Sequence, residues 1–116
     1  MTHPVTAHAP VCLRALSRDD LSFLKRRGRG AAGPLAHDHW AVRSTGHYGL
    51  DCRVGGIMAA ELRRYLADTR DVCILSDIVK ELMTRPADPG GDGIVVGFFT
   101  ELGMDLLRAA RPEGRQ

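Results

Sequence analysis

The sequence predicts a mainly α fold: a small single-domain bundle of about four helices, with an irregular segment or short hairpin at 37–50. Three observations carry that prediction. Apolar residues recur every three to four positions over long stretches between 51 and 111, the period of a helix with one buried side. A serine-led capping sequence opens a further helical stretch at Ser17. The length of 116 residues suits one core, too short for two ordinary domains and long enough to need no covalent staple. An α+β arrangement, with short strands at 72–75 and 94–99, is the alternative.

Residues 1–10 hold two prolines and no apolar period, so a flexible N-terminal tail is expected there. The domain proper is expected over 11–111, with 112–116 as a C-terminal tail. The first helix is predicted after Ser17, whose hydroxyl can accept an orphan amide of the first turn. Asp20 takes the capping-box position, and Leu16 and Leu21 have the spacing of a hydrophobic staple. Asp19 and Asp20 fall at the positive end of the helix dipole. Lys25, Arg26 and Arg27 fall at the negative end, just before Gly28. Leu21 and Leu24 form its buried face, with Phe23 at the margin. Residues 28–36 read as a connector.

The second helix is expected over about 51–67, with Val54, Ile57, Met58, Leu62, Tyr65 and Leu66 in helical register. Gly55 and Gly56 inside it each cost about 1 kcal/mol relative to alanine. Either the helix starts after them or a neighbouring backbone packs closely against them. The third helix follows "ADTRD", with Asp71 as its cap and Val72, Leu75, Ile78, Val79, Leu82 and Met83 as its apolar stripe. Asp77 and Lys80 are expected on its wet side, and Pro86 ends it. The fourth helix, "IVVGFFTELGMDLLRAAR", carries Val95, Phe98, Phe99, Leu102, Leu106 and Ala109 on one face. Ile94, Val96, Met104 and Leu107 spread the apolar character far around the cylinder. Such a helix is central in its bundle or buried against a second copy.

Composition excludes several classes. The net charge of +2 lacks the broad basic excess of a nucleic-acid domain, although residues 1–36 carry +4 and residues 72–116 carry −2. Cys12, Cys52 and Cys73 are too few and too scattered for a disulfide framework, which points to a reducing, cytoplasmic setting. The N-terminal residues have no signal-peptide pattern, and no stretch reaches the ~20 apolar residues of a membrane span. No phosphate loop or dinucleotide fingerprint is present. The chain is therefore read as non-enzymatic, with no catalytic residue, no cofactor and no membrane partner.

The densest feature is basic. Lys25, Arg26, Arg27 and Arg29 occupy four of five positions. A helix C-terminus accounts for most of them. Arg27-Gly28-Arg29 also resembles the core of an AT-hook, with Gly30 where that motif has proline. The resemblance implies minor-groove contact, and the cations alone would supply salt-dependent phosphate affinity. His37, His39 and His47, with Cys52 nearby, form the candidate zinc set, although their spacing matches no zinc finger. A helix-turn-helix built on the second and third helices would put Asp77 and Glu81 towards DNA, which is electrostatically wrong.

These readings converge on a compact module that binds a larger protein or a nucleoprotein complex. It would act as an adaptor, subunit or inhibitor, of the kind phage-borne anti-defence proteins such as anti-CRISPR proteins represent, and would itself be a homodimer. The expected contact residues are Lys25, Arg26, Arg27, Arg29, Trp40 and Tyr48. A nucleic-acid-binding accessory role for the basic stretch is the second reading, and a zinc-dependent protein the third.

Overall fold

A computed structural model describes residues 16–28, 36–86 and 92–110. In it a 3₁₀ turn at Arg18–Asp20 leads to a two-residue strand β1, Lys25–Arg26, which pairs with β2, His37–Asp38. Three α-helices follow: α1, Tyr48–Thr69; α2, Cys73–Thr84; and α3, Gly93–Ala110. The fold is mainly α, as the periodicity predicts. The two expected tails lie outside the described residues.

The first expected helix stops after one turn. Its capping box forms in full, with Ser17 accepting from the Asp19 amide and Asp20 accepting from the Ser17 amide. At Leu21 the backbone turns extended, with φ −86° and ψ 128°. The reason is burial. Leu21 and Phe23 are both buried while Ser22 between them is exposed and bonded to Glu61. Leu24 is buried as well, and its amide donates to the Leu21 carbonyl at 3.2 Å, so the chain closes a turn here that carries Phe23 into the core instead of continuing as a helix. Local capping chemistry loses to the aromatic core. Lys25 and Arg26 therefore lie on a strand, and the dipole explanation of the cluster falls with the helix.

β1 and β2 are antiparallel, with Lys25 opposite Asp38 and Arg26 opposite His37. The Arg27 amide donates to the Ala36 carbonyl, and the Ala41 amide to that of Phe23. The strand partner of His37–Asp38 thus comes from upstream, not from within 37–50. Residues 39–47 are irregular, as expected. They are pinned at Trp40, whose ring meets Phe98 edge-on at 5.2 Å and Phe23 at 6.2 Å.

α1 runs longer at both ends than its apolar period shows. At its start Asp51, fully buried, accepts bonds from the Ser44 and Thr45 hydroxyls and the Thr45 amide, tying the irregular segment to the helix. The Ser44 bond is the main cause holding the Asp51 carboxyl below its ordinary range. At its end Arg70 takes the left-handed conformation, φ 60°, usually left to glycine. α2 ends before Pro86 as expected. Its buried side keeps half of the expected stripe: Ile78 is buried and Leu75 and Leu82 pack partly buried against the core, joined by Ile74 and Asp77, whereas Val72, Val79 and Met83 are exposed. The stretch at 94–99 considered as a strand is helical throughout, and α2 covers 73–75.

α1 and α3 make the principal helix contact, and glycine makes it close. A Cβ on Gly55 would strike the backbone of Ile94 and Phe98; one on Gly97 would strike the backbone of Cys52. A Cβ on Gly93 would strike the Asp51 side chain and the Tyr48 carbonyl. The second of the alternatives posed for Gly55 is the one realised. Around this crossing sit Met58, Ala59, Leu62, Ile94 and Phe98.

Candidate interaction surface

The expected contact residues do not form one patch. Lys25 is exposed on β1. Arg26 pairs with Asp19 at 3.0 Å. Arg27 pairs with Glu81 of α2 at 2.9 Å and donates to the His37 carbonyl. Two cations of the stretch are therefore already engaged by carboxylates of the chain. Arg29 lies outside the described residues. Trp40 is a core side chain, only 4% exposed. Tyr48, 55% exposed, opens α1 beside Gly93. A hydrogen bond with the Cys52 side chain is the main cause raising its phenol pKa.

The histidines divide as well. His37 Nε2 lies 2.7 Å from Asp19, and His39 Nε2 lies 2.9 Å from the Arg18 guanidinium. Because arginine only donates, that His39 nitrogen is an acceptor and the ring is neutral. Burial first, then the Arg18 charge, lowers the His39 pKa. His47 is exposed, just before α1. Among the described residues no three histidine, cysteine or acidic side chains are grouped to hold a metal ion. Cys52 is partly buried and Cys73 exposed; Cys12 lies outside the described residues.

His39 belongs to a network that sequence reasoning missed. Arg18 donates from Nε and Nη2 to the two oxygens of Asp71, and from Nη1 to Asp77 at 2.7 Å. Tyr65 donates to Asp71 at 2.6 Å. One guanidinium thereby ties the N-terminal segment to the α1–α2 turn and to the buried side of α2. The Arg18 hydrogen bond is the main cause keeping the Asp71 carboxyl below its ordinary range. Asp77, expected on the wet side, is buried because it faces Arg18. Asp71 serves this network; no side-chain cap closes the start of α2. The only sequence signal was an arginine among the capping residues of a short apolar segment, which is indistinguishable from a surface cation. A cavity of about 90 Å³ lies nearby, between Leu16, Asp20, Leu21, Glu61, Arg64 and Tyr65. It is far smaller than the roughly 300 Å³ of a typical small-molecule site.

The feature with the plainest chemistry is α3. Its charged residues all lie towards α1: Asp105 receives Arg63 at 2.6 Å and Arg108 at 2.8 Å, and Glu101 lies 3.6 Å from Arg63. Its outward side carries Val96, Phe99, Leu106 and Leu107, which are 41%, 37%, 71% and 67% exposed. Thr100, Gly103 and Ala110 complete that side, and none is charged. The helix is thus turned against the usual rule. Only its first half, through Gly93, Ile94, Gly97 and Phe98, is buried. The sequence shows the excess of apolar residues but not their placement. The close seating of Gly55 on the Ile94–Phe98 backbone and of Gly97 on Cys52 sets the rotation of the helix and leaves Leu106 and Leu107 in water.

No family model matches this chain, and no curated protein or solved structure matches it significantly. Among the described residues no helix is long and apolar enough to cross a membrane. The class defined by the fold and this surface is a small, mainly α, single domain with one large uncharged helix face.

Proposed function

We propose that the protein is a non-enzymatic interaction module, acting as an adaptor, subunit or inhibitor, and that it docks through the outward face of α3. The observation that carries this reading is the uncharged apolar stripe from Val96 to Ala110. Isolated apolar residues are ordinary on a surface, but a contiguous patch of several hundred Å² marks an interaction site. The patch belongs to a well-formed helix seated by its other side on α1, so docking needs no new backbone order.

Exposed Lys25 favours a second reading, in which β1 contributes to nucleic-acid contact. The engagement of Arg26 and Arg27 with Asp19 and Glu81 weighs against it, because phosphate binding would have to displace those carboxylates.

The test is affinity capture with the tagged full chain from extracts of its source, comparing wild type with Leu107→Arg and with the Lys25→Ala/Arg26→Ala/Arg27→Ala triple variant. The proposal expects a specific protein, whether a different chain or an untagged second copy of this one, that is lost with Leu107→Arg and retained by the triple variant. Capture unchanged by Leu107→Arg, or dependent on the basic residues alone, would overturn it.

A further inference from the structure

We infer that the occupant of the outward face of α3 is a second copy of this chain, bound antiparallel with Gly103 on the twofold axis; this rests on the reading of that face as a docking surface. The first support is the pattern. Phe99 precedes Gly103 by four residues and Leu107 follows by four. Val96 and Ala110 stand seven residues to either side, and Thr100 and Leu106 three. A symmetric dimer brings one patch against itself. In this register Phe99 of each protomer meets Leu107 of the other, and Val96 meets Ala110. Large meets large at the flanks, and small meets medium at the ends.

The second support is Gly103 itself. Glycine within a helix is unfavourable by about 1 kcal/mol relative to alanine. At Gly55, Gly93 and Gly97 a neighbour occupies the space a Cβ would need. Nothing lies within 4 Å of the Cβ position at Gly103, although it sits in mid-helix. A second α3 crossing there would fill that space with backbone, as α1 does at Gly97. Gly56 is also open, but it lies three residues from Arg53 on a side that also carries Arg63.

Charge and area agree. A twofold repeats every charge against its neighbourhood, so a self-pairing face is best uncharged, and this one is. At about 200 Å² for a large apolar residue, the exposed fractions of Val96, Phe99, Leu106 and Leu107 amount to about 430 Å². Thr100, Gly103 and Ala110 bring the face close to the roughly 600 Å² per partner of the smaller stable interfaces.

Sedimentation velocity on the purified full chain tests this. The wild type is expected to be a dimer, and Leu107→Arg a monomer with unchanged far-UV circular dichroism. Gly103→Ala should raise the thermal stability of the monomer yet weaken association about tenfold or more. Phe99→Lys and Leu107→Glu, each monomeric alone, should associate when mixed, because the register sets the two positions opposite each other. A monomeric wild type across a wide concentration range would overturn the inference, as would a Gly103→Ala dimer of undiminished strength. If the wild type is monomeric but Leu107→Arg still abolishes capture of a partner, only the second copy fails as occupant. If Leu107→Arg changes neither association nor capture, the face itself is not a docking surface.

Discussion

The two halves of α3 use the same residue for opposite ends. In the first half Gly93 and Gly97 vanish into α1, and the helix is held so closely that no side chain fits between the backbones. In the second half Gly103 faces open space, with Leu106 and Leu107 largely in water. The first half is explained by packing within the chain. The second is not, since exposed leucines and an open mid-helix glycine stabilise nothing in the monomer. One helix therefore divides into a part that holds the fold and a part left exposed, which is where the proposal places the second copy.

Breaking the packed half gives the largest effect. Gly97→Ala places a methyl against the Cys52 backbone, which has no flexible end to yield. Overpacking in a well-filled core costs about 1–3 kcal/mol, and a backbone obstacle puts this site at the top of that range or above it. Urea unfolding should show a clear loss of stability, and a Gly97→Ala protein as stable as wild type would mean that the two helices do not cross here.

The packed half is also held from the other side, by the segment that carries Phe23 to Phe98. Arg18 anchors that segment. Arg18→Met leaves Asp71 and Asp77 without their cation and is expected to lose about 3 kcal/mol, within the usual range for one-sided removal of a partly buried pair. Asp71→Asn in the same background should recover part of the loss, which a double-mutant cycle would measure.

The same anchor gives a pH dependence. His39 is neutral in the fold and its pKa is lowered from the ordinary 6.5. The unfolded chain therefore binds the additional proton first. The contribution of His39 to stability is present above about 6.5 and is lost as pH falls from there towards the lowered folded value. Asp71, held low by Arg18, adds a second loss below its ordinary 3.8. His39→Gln, whose amide oxygen can still accept from Arg18, should flatten the upper part of this slope in thermal melts at a series of pH values. An unchanged slope would place the titrating group elsewhere.

Smaller changes sharpen the comparison. Arg63→Ala removes the cation that draws Asp105 and Glu101 towards α1. As a half-exposed pair it should cost little stability in urea unfolding, leaving the crossing intact. Arg70→Gly should stabilise by up to about 1 kcal/mol, because glycine takes the left-handed φ of 60° without a Cβ penalty.

Much of this architecture was legible in the chain. The stop at Pro86, the extent of the last helix and the capping box at Ser17 all follow from local chemistry, and local chemistry is what a sequence displays. The failures share a different cause. Ser17 to Gly28 carries every sign of a helix, yet Phe23 is claimed by Trp40 and Phe98, residues far away in sequence. Asp77 reads as a surface carboxylate until Arg18, 59 residues earlier, is placed beside it. Trp40 looked available for contact because aromatic residues serve both surfaces and cores. The excess of apolar residues on α3 was visible, and with it the expectation of an interface. Which side faces outward depends on a glycine crossing that no periodicity reveals, and so the sequence points to the basic stretch instead.

The most direct measurement is sedimentation equilibrium of the wild type beside Gly103→Ala, with a thermal melt of each. The account expects the alanine to make the monomer more stable and the association weaker, because a site empty in the monomer is filled by the second copy. Gain in both, or an unassociated wild type, would contradict it and return Gly103 to an unexplained weakness in an otherwise well-made helix.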